Sequence, residues 1–585
     1  MYVPEKSESA AAVQVINKIL VNIPFIIIAC IIPVIRWHIR VMHNEEMGMV
    51  LLKTTWYDDY FHLIKAVFLL SAVFLMLIIF LLKRDTDIRF PKVFLFPVFY
   101  FVFVLLSTYF SNYPISAFFG IIDRYEGCLT QFCYILVLIF SYYLIRDLRQ
   151  YVAITKLMLI ASVIVALAGI PQFTGVNAAE SAYAVSSTIG NPNYVGMYSV
   201  IMFPAAMSIM LHEHSSAKRA CYLLLFIGSA LFLLFASMSG AAYASAFAAA
   251  VLFAVLMRRE IIKRYKWFSA LLVYGILIFL LLNSYSKGLL LEELKKTNPF
   301  YNTNGNKLYF EDVSLSGDSA SIKTSRWTLN IKCDESGFGF GDESGRPVTV
   351  HRDNELQKIG FSDGPYSGIT GFFRENEEFQ WLMLDIEGKD IEFVKYEGKL
   401  YVVGYNGLIT DVEYPETFGF KGRESFASGR GYIWSRALPL LKKAVFLGYG
   451  PDTFTYIFPQ NDIAGKLNYG AIWVIIGKPH NWYLQIALGS GILSLSLLLC
   501  FIVWFIIKSM KLLITRSDRN DSGGAGGERI IIGAILSAVI AYLIAAIFND
   551  SVVAVSPIFW MMLGFGTRML ETAEQNIQII KDGGS

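Results

Sequence analysis

The sequence predicts an all-α polytopic membrane protein of about 12 transmembrane helices, with one inserted extracytoplasmic antiparallel β domain. Three observations carry that reading. The 585 residues are 55% hydrophobic with a mean hydropathy of +0.49, more apolar surface than a soluble fold needs. Apolar runs of about 20 residues, enough to cross a bilayer as helices, recur along the chain. Between residues 305 and 415 they give way to polar, alternating sequence punctuated by turn residues.

The apolar runs lie near 14–36, 62–82, 92–110, 127–145, 154–174, 192–211, 219–237, 240–257, 267–285, 483–507, 530–548 and 553–568. Lys18 interrupts the first, and the last is short. MYVPEKSESAAAVQ lacks a basic flank and a small-residue cleavage site, so the first run is expected to be a retained helix. Lys and Arg in the short loops set the orientation. With a cytoplasmic N-terminus, inner loops hold nineteen cations, among them Lys83, Arg84, Arg146, Lys218, Arg258 and Lys508. The short outer loops hold four: Arg36, Arg40, Lys53 and Arg124. Both termini are therefore expected in the cytoplasm and residues 286–482 outside.

The domains expected are helices one to nine over 1–285, an extracytoplasmic insert over 286–427 and a catalytic-type loop over 428–482. The last three helices follow over 483–570, with a cytoplasmic tail over 571–585. SDRNDSGGAGGE (517–528) reads as a flexible linker.

Within the insert, Trp327, Leu329 and Ile331 alternate with polar residues, as on a half-buried strand. Strand-like runs at 379–386, 391–396, 399–405 and 408–414 are separated by Glu387-Gly388, Glu397-Gly398 and Asn406-Gly407, which are hairpin signals. Trp327, Tyr366, Trp381 and Tyr401 are either core aromatics or a glycan platform, and core is the commoner fate of strand aromatics.

Net charge of +3 excludes little, because its location matters more than its sum. Six scattered cysteines give neither a disulfide framework nor a metal cluster. No phosphate-binding loop or dinucleotide fingerprint stands in a plausible context. No cofactor, metal or nucleic-acid partner is expected.

Chemistry concentrates in Ser428–Gln485. This stretch holds six cations (Arg430, Arg436, Lys442, Lys443, Lys466, Lys478) against Asp452 and Asp462, together with His480, one of seven histidines. Guanidinium groups match phosphate oxygens bidentately, and histidine is the side chain suited to proton transfer near neutrality. The plain alternatives are headgroup anchors for the arginines and, for His480, a helix cap or an interfacial hydrogen bond. Upstream, Arg124 in IIDRYEG is either a snorkelling interfacial arginine or a phosphate contact. Asn191 and Asn193 in TIGNPNYVGMY are either caps or part of an anion site at a helix N-terminus. Ser237-Met238-Ser239-Gly240 reads as close packing of small residues.

The order TIGNPNYVGMY, SGRGYIWSRALPLL, LGYGPDTF, PHNWYLQ and SPIFWMMLG resembles the O-antigen ligase and O-antigen polymerase family, over roughly 90–270 and 425–570. The insert lies outside the likeness. The resemblance implies a bacterial cytoplasmic-membrane enzyme of surface polysaccharide biosynthesis. Such an enzyme moves a glycan from an undecaprenyl-pyrophosphate-linked donor to a glycan, lipid or protein acceptor, without metal or nucleotide. It also implies that His480 is the base and that Arg430, and Arg436 beside it, hold pyrophosphate. Arg124, Asn191, Asn193 and Tyr449 complete the expected substrate contacts. One departure stands out: where the family often has Ser-Arg-Gly or Ser-Arg-Ala, this chain reads Ser239-Gly240-Ala241. The competing classes are a lipid-linked glycan flippase, which needs charge within the bilayer, and a degenerate glycan-binding scaffold.

Overall fold

In the computed structural model, which describes residues 20–582 except 48–49, 83–89, 146, 176–182, 297–307, 336, 354, 363, 376–379, 471 and 517–524, the described part of each apolar run is largely helical. Among the described residues, eight helices are long and apolar enough to cross a membrane: His62–Leu82, Lys92–Tyr109, Leu148–Phe173, Pro192–His212, Ser216–Ala236, Tyr265–Tyr285, Ile492–Thr515 and Gly526–Ala545. Leu20–Val34, Cys128–Leu144 and Gly240–Leu256 are shorter apolar helices. The last run lies on Ser556–Asp582, which continues as helix well past residue 570. The protein is a multi-pass membrane protein, mostly helical, with added antiparallel sheets.

The chain divides into two units. The membrane unit comprises Met1–Tyr301, Ala444–Thr453 and Asn481–Ser585; the β unit comprises Asn302–Lys443 and Phe454–His480.

In the membrane unit, Pro192–His212 is buried along almost its whole length and packs against the helices at 148–173, 216–236, 240–256 and 525–545. Its start follows from local chemistry. Asn191 caps it by accepting the Asn193 N–H (2.9 Å), and Pro192 needs no N–H at the first helical position. Lys65 lies within a span yet is fully buried. Its ammonium donates to the carbonyls of Ile32 (2.8 Å) and Thr188 (2.7 Å), tying three segments together.

The run expected at 483–507 is two helices, Trp482–Ser490 and Ile492–Arg516. Gly491 breaks it at φ 102°, and a Cβ there would meet the Phe446 carbonyl oxygen at 2.4 Å. The segment after Ala444 runs beside this break, so that Ile492 N–H donates to Ala444 (2.8 Å) and Tyr449 N–H to Leu488 (2.8 Å). Unbroken hydropathy hides this, because the glycine is required by a distant strand of chain. A second departure is an antiparallel hairpin, β1 (Ile39–Met47) and β2 (Val50–Asp59), where the sequence reads only as a loop.

The β unit carries two antiparallel meanders. β3 (Phe310–Ser316), β4 (Ser319–Thr324), β5 (Thr328–Asp334) and β6 (Gly337–Gly341) form a four-stranded sheet in chain order. β7 (Val350–Asp353), β8 (Lys358–Phe361), β9 (Ile369–Glu375), β10 (Gln380–Ile386), β11 (Asp390–Tyr396), β12 (Lys399–Val403) and β13 (Ile409–Thr410) form a seven-stranded one. Glu387-Gly388 and Glu397-Gly398 have φ of 53° and 78°, and 49° and 78°, the paired left-handed geometry of two-residue hairpins. Alternation puts Leu329, Ile331 and Cys333 inward from β5, and Leu382, Leu384 and Ile386 from β10. Trp327 and Tyr366 pack together (5.5 Å between ring centres) against this core, which accounts for both as structural aromatics.

The core is completed from outside the strands. Ile463, Leu467 and Ile472, all fully buried, belong to the same apolar cluster. A fragment ending at residue 418 loses all three. In circular-dichroism melts, residues 302–480 are therefore expected to be more stable than 300–418. Each buried aliphatic side chain contributes about 1.5–3 kcal/mol. Equal melting temperatures would show that the strands are self-sufficient.

Candidate functional site

The helix Phe426–Leu440 is regular only from Arg430 onward. Before it, Ala427 (φ 49°), Ser428 (φ 61°) and Gly429 (φ 89°) form three successive left-handed residues. The two non-glycine members each cost about 1–2 kcal/mol, so the surrounding packing must enforce the turn. The glycines on either side of Arg430 have spatial causes. A Cβ at Gly429 would meet the Tyr469 ring at 2.2 Å, and one at Gly431 the Arg423 carbonyl at 2.2 Å. Arg430 itself is buried, and its Nη1 donates to Ala427 (2.7 Å).

Arg436 is differently placed. Its Nε donates to Asp462 Oδ2 (2.8 Å), its Nη1 to Ser435 Oγ (2.8 Å), and its guanidinium lies 4.7 Å from the Tyr432 ring centre. Both partners of the ion pair are nearly buried. Asp462 also caps Ile463–Tyr469 by accepting the Gly465 N–H (3.0 Å). The geometry thus gives Arg436 a structural task. Lys466, fully buried nearby, lies 5.3 Å from the Tyr405 ring centre, and burial pushes its ammonium down to about 8 against the opposing pull of Asp462 and Glu413.

His480 is half-buried with φ 49°, the left-handed region. The irregular segment leading to it is pinned within the β unit. Gln460 accepts from Ile476 N–H (3.1 Å) and donates to its carbonyl (2.9 Å), and Thr455 donates to Gly477 (3.1 Å). Trp434 Nε1 donates to the Pro479 carbonyl (2.9 Å). Trp434 is four residues after Arg430, one helical turn away. The helix that starts at Arg430 and the segment that ends at His480 are therefore joined. The helix cap is Asn481, which accepts the Leu484 N–H (2.9 Å) at the start of Trp482–Ser490; capping does not account for His480.

In the membrane unit, Arg124 Nε pairs with Asp452 Oδ1 at 3.1 Å, and Asp452 Oδ2 accepts the Ile121 N–H (2.7 Å). Asn193 Oδ1 accepts from Ser239 Oγ (3.0 Å), just before Gly240. Tyr449 is held through its backbone, with Ser111 Oγ donating to its carbonyl (2.6 Å) and burial raising its phenol. Sequence reasoning missed Glu126, Asp550 and Ser551. Glu126 is fully buried, accepting from Tyr134 OH (2.6 Å), Ser551 Oγ (2.6 Å) and Gln131 Nε2 (3.2 Å). Asp550 Oδ1 accepts the Asn481 N–H (3.2 Å). The only sequence signal was the polar break Asn549-Asp550-Ser551 between two apolar runs.

Burial pushes the Glu126 carboxyl up to about 7, Asp452 and Asp550 adding to the rise and its hydroxyl donors opposing it. Between the ordinary value of 4.5 and about 7 the folded state holds the proton that the unfolded state releases. Stability is therefore full below this window and falls as pH rises through it, by on the order of 3 kcal/mol. Thermal melts in detergent across this range are expected to show the decline, and Glu126→Gln to flatten it. A wild-type profile from Glu126→Gln would sink the assignment.

Among the described residues no cluster of His, Cys, Asp or Glu is placed to hold a metal ion. Residues 400–499, which include Arg430, Trp434, Arg436, Asp462 and His480, match the family model described as O-antigen ligase. Over that stretch the chain is similar to the O-antigen ligases. The resemblance drawn from the motifs is thereby supported over the stretch that holds the cationic loop. No curated protein and no solved structure matches the chain. The match supports an O-antigen ligase-like function in polysaccharide biosynthesis.

Proposed function

We propose that this protein transfers an oligosaccharide or polysaccharide from undecaprenyl pyrophosphate to an acceptor hydroxyl at the outer face of the bacterial cytoplasmic membrane. The observation that supports this best is the join between Arg430 and His480 through Trp434, inside the stretch that matches the O-antigen ligase model. In the reaction, His480 takes the acceptor proton as the hydroxyl oxygen bonds to the anomeric carbon. The bond from that carbon to the pyrophosphate oxygen breaks, and the lipid pyrophosphate leaves with the electron pair. Arg430 stabilises the charge that develops there. Pyrophosphate is already a good leaving group, so positioning and charge neutralisation suffice in kind without nucleotide. Lys65 does not argue for a flippase, since two backbone carbonyls hold its ammonium. Ser239-Gly240 keeps the scaffold reading as the alternative outcome.

The test is purified protein in detergent with a lipid-pyrophosphate oligosaccharide and an acceptor, with no added nucleotide or metal. Transfer of the glycan supports the reading; donor binding without transfer makes the protein a scaffold. Sidedness has its own check. The cation bias puts residues 286–482 outside, so a cysteine replacing the exposed Ser344 is expected to react with an impermeant reagent in intact cells. Labelling only after permeabilisation would invert the topology and remove the donor's side of the membrane from reach.

A further inference from the structure

We infer that Trp434 is a positioning residue for His480, an inference that rests on the transferase reading above. Three features converge on it. Its indole N–H donates to the Pro479 carbonyl at 2.9 Å, the peptide immediately before His480. It stands one turn along the helix from Arg430, which fixes this contact relative to the anion-binding end. His480 itself has φ 49°, a left-handed conformation that a residue with a side chain keeps only when its flanks are held. A free Pro479 carbonyl would let that turn relax toward the commoner extended backbone, carrying the imidazole with it. The ring is held in turn by Phe420 (6.0 Å between ring centres) and Phe426 (6.3 Å). Residues 420–434 thus make an aromatic bracket around the donor N–H. Trp434 touches no reacting atom in this scheme; it acts through the backbone of the base.

The experiment is a double-mutant cycle on the full-length protein with the lipid-pyrophosphate donor, separating donor KM from kcat. Trp434→Phe keeps the apolar ring and removes the N–H. It is expected to lower kcat by about 10- to 100-fold, the scale of a misplaced catalytic group, while donor KM stays within about twofold. In a His480→Ala background the same substitution is expected to change residual turnover by less than about twofold, because the group it positions is gone. Equal losses in both backgrounds would show a general structural role and overturn the inference. So would full activity of Trp434→Phe when His480→Ala is inactive, and that result would leave the transferase reading intact. Wild-type turnover by His480→Ala would instead overturn the reading of the base, and this inference with it. Should Trp434→Phe not fold, a benzothiophene isostere at 434, equal in shape but without the N–H, is subject to the same outcomes.

Discussion

His480→Ala protein is expected to bind the lipid-pyrophosphate donor normally and to transfer glycan about 10²–10⁴ times more slowly, the usual contribution of a positioned acid–base group. The reasoning starts from what the reaction lacks. A leaving group is built into the donor, whereas the acceptor hydroxyl must lose a proton as it attacks. His480 is a half-buried histidine on a backbone held in a left-handed turn, in the part of the chain that matches the O-antigen ligase model. Arg430 should fail differently. Arg430→Ala removes a charge-assisted contact worth about 1.5–3 kcal/mol and weakens donor binding as well as turnover. Arg430→Lys should recover only part, because an ammonium lacks the planar fork. Binding measured by donor titration and transfer measured by product formation separate the two roles. Wild-type transfer by His480→Ala would mean that the acceptor proton leaves by another route.

What the sequence made legible follows from the range of the forces involved. Apolar runs mark helices because bilayer thickness and helix rise fix their length, and the described part of each run is largely helical. Glu-Gly pairs mark hairpins because the turn itself demands φ above zero, and both pairs close β10–β11 and β11–β12 in that way. Asn406-Gly407 also lies in the turn between antiparallel partners, β12 and the two-residue β13, there as part of a 3-10 turn. Long-range contacts were not legible. Gly491 interrupts a continuous apolar run only because the chain near Phe446 approaches it. Ile463, Leu467 and Ile472 complete a core built mostly of strands far back in the sequence. Glu126, Asp452 and Asp550 are single acids in three separate loops, and nothing local announces that burial will bring them within electrostatic reach of one another. For Arg430 the glycines were visible as a motif, but their cause was not, since it lies in Tyr469 and in the carbonyl of Arg423.

Asp462→Ala is expected to destabilise the β unit by about 3–5 kcal/mol, the cost of leaving a buried ion unpaired. Charge counting in Ser428–Gln485 treats Arg436 as part of a cationic excess open to substrate. The structure pairs it, at 2.8 Å, with a carboxylate 26 positions later. Asp462 does more than neutralise one arginine. It caps Ile463–Tyr469, and its charge supports the buried Lys466. Its removal strands Arg436, uncaps a helix that carries Ile463 and Leu467 into the core, and leaves Glu413 as the remaining acid acting on Lys466. Lys466 can release its proton in response, whereas a guanidinium cannot. Arg436→Met should therefore rescue much of the loss in Asp462→Ala, because the stranded cation is gone and a flexible apolar side chain fills its place over the Tyr432 ring. Thermal unfolding followed by the β signal reads this directly, and donor titration on the same proteins reads the other possibility. If Arg436 is primarily a pyrophosphate ligand, Arg436→Met weakens donor binding about as much as Arg430→Ala and leaves the melting temperature of Asp462→Ala where it was. Rescue of stability with donor affinity kept assigns Arg436 to the fold and leaves Arg430 as the arginine of that helix that meets the phosphate.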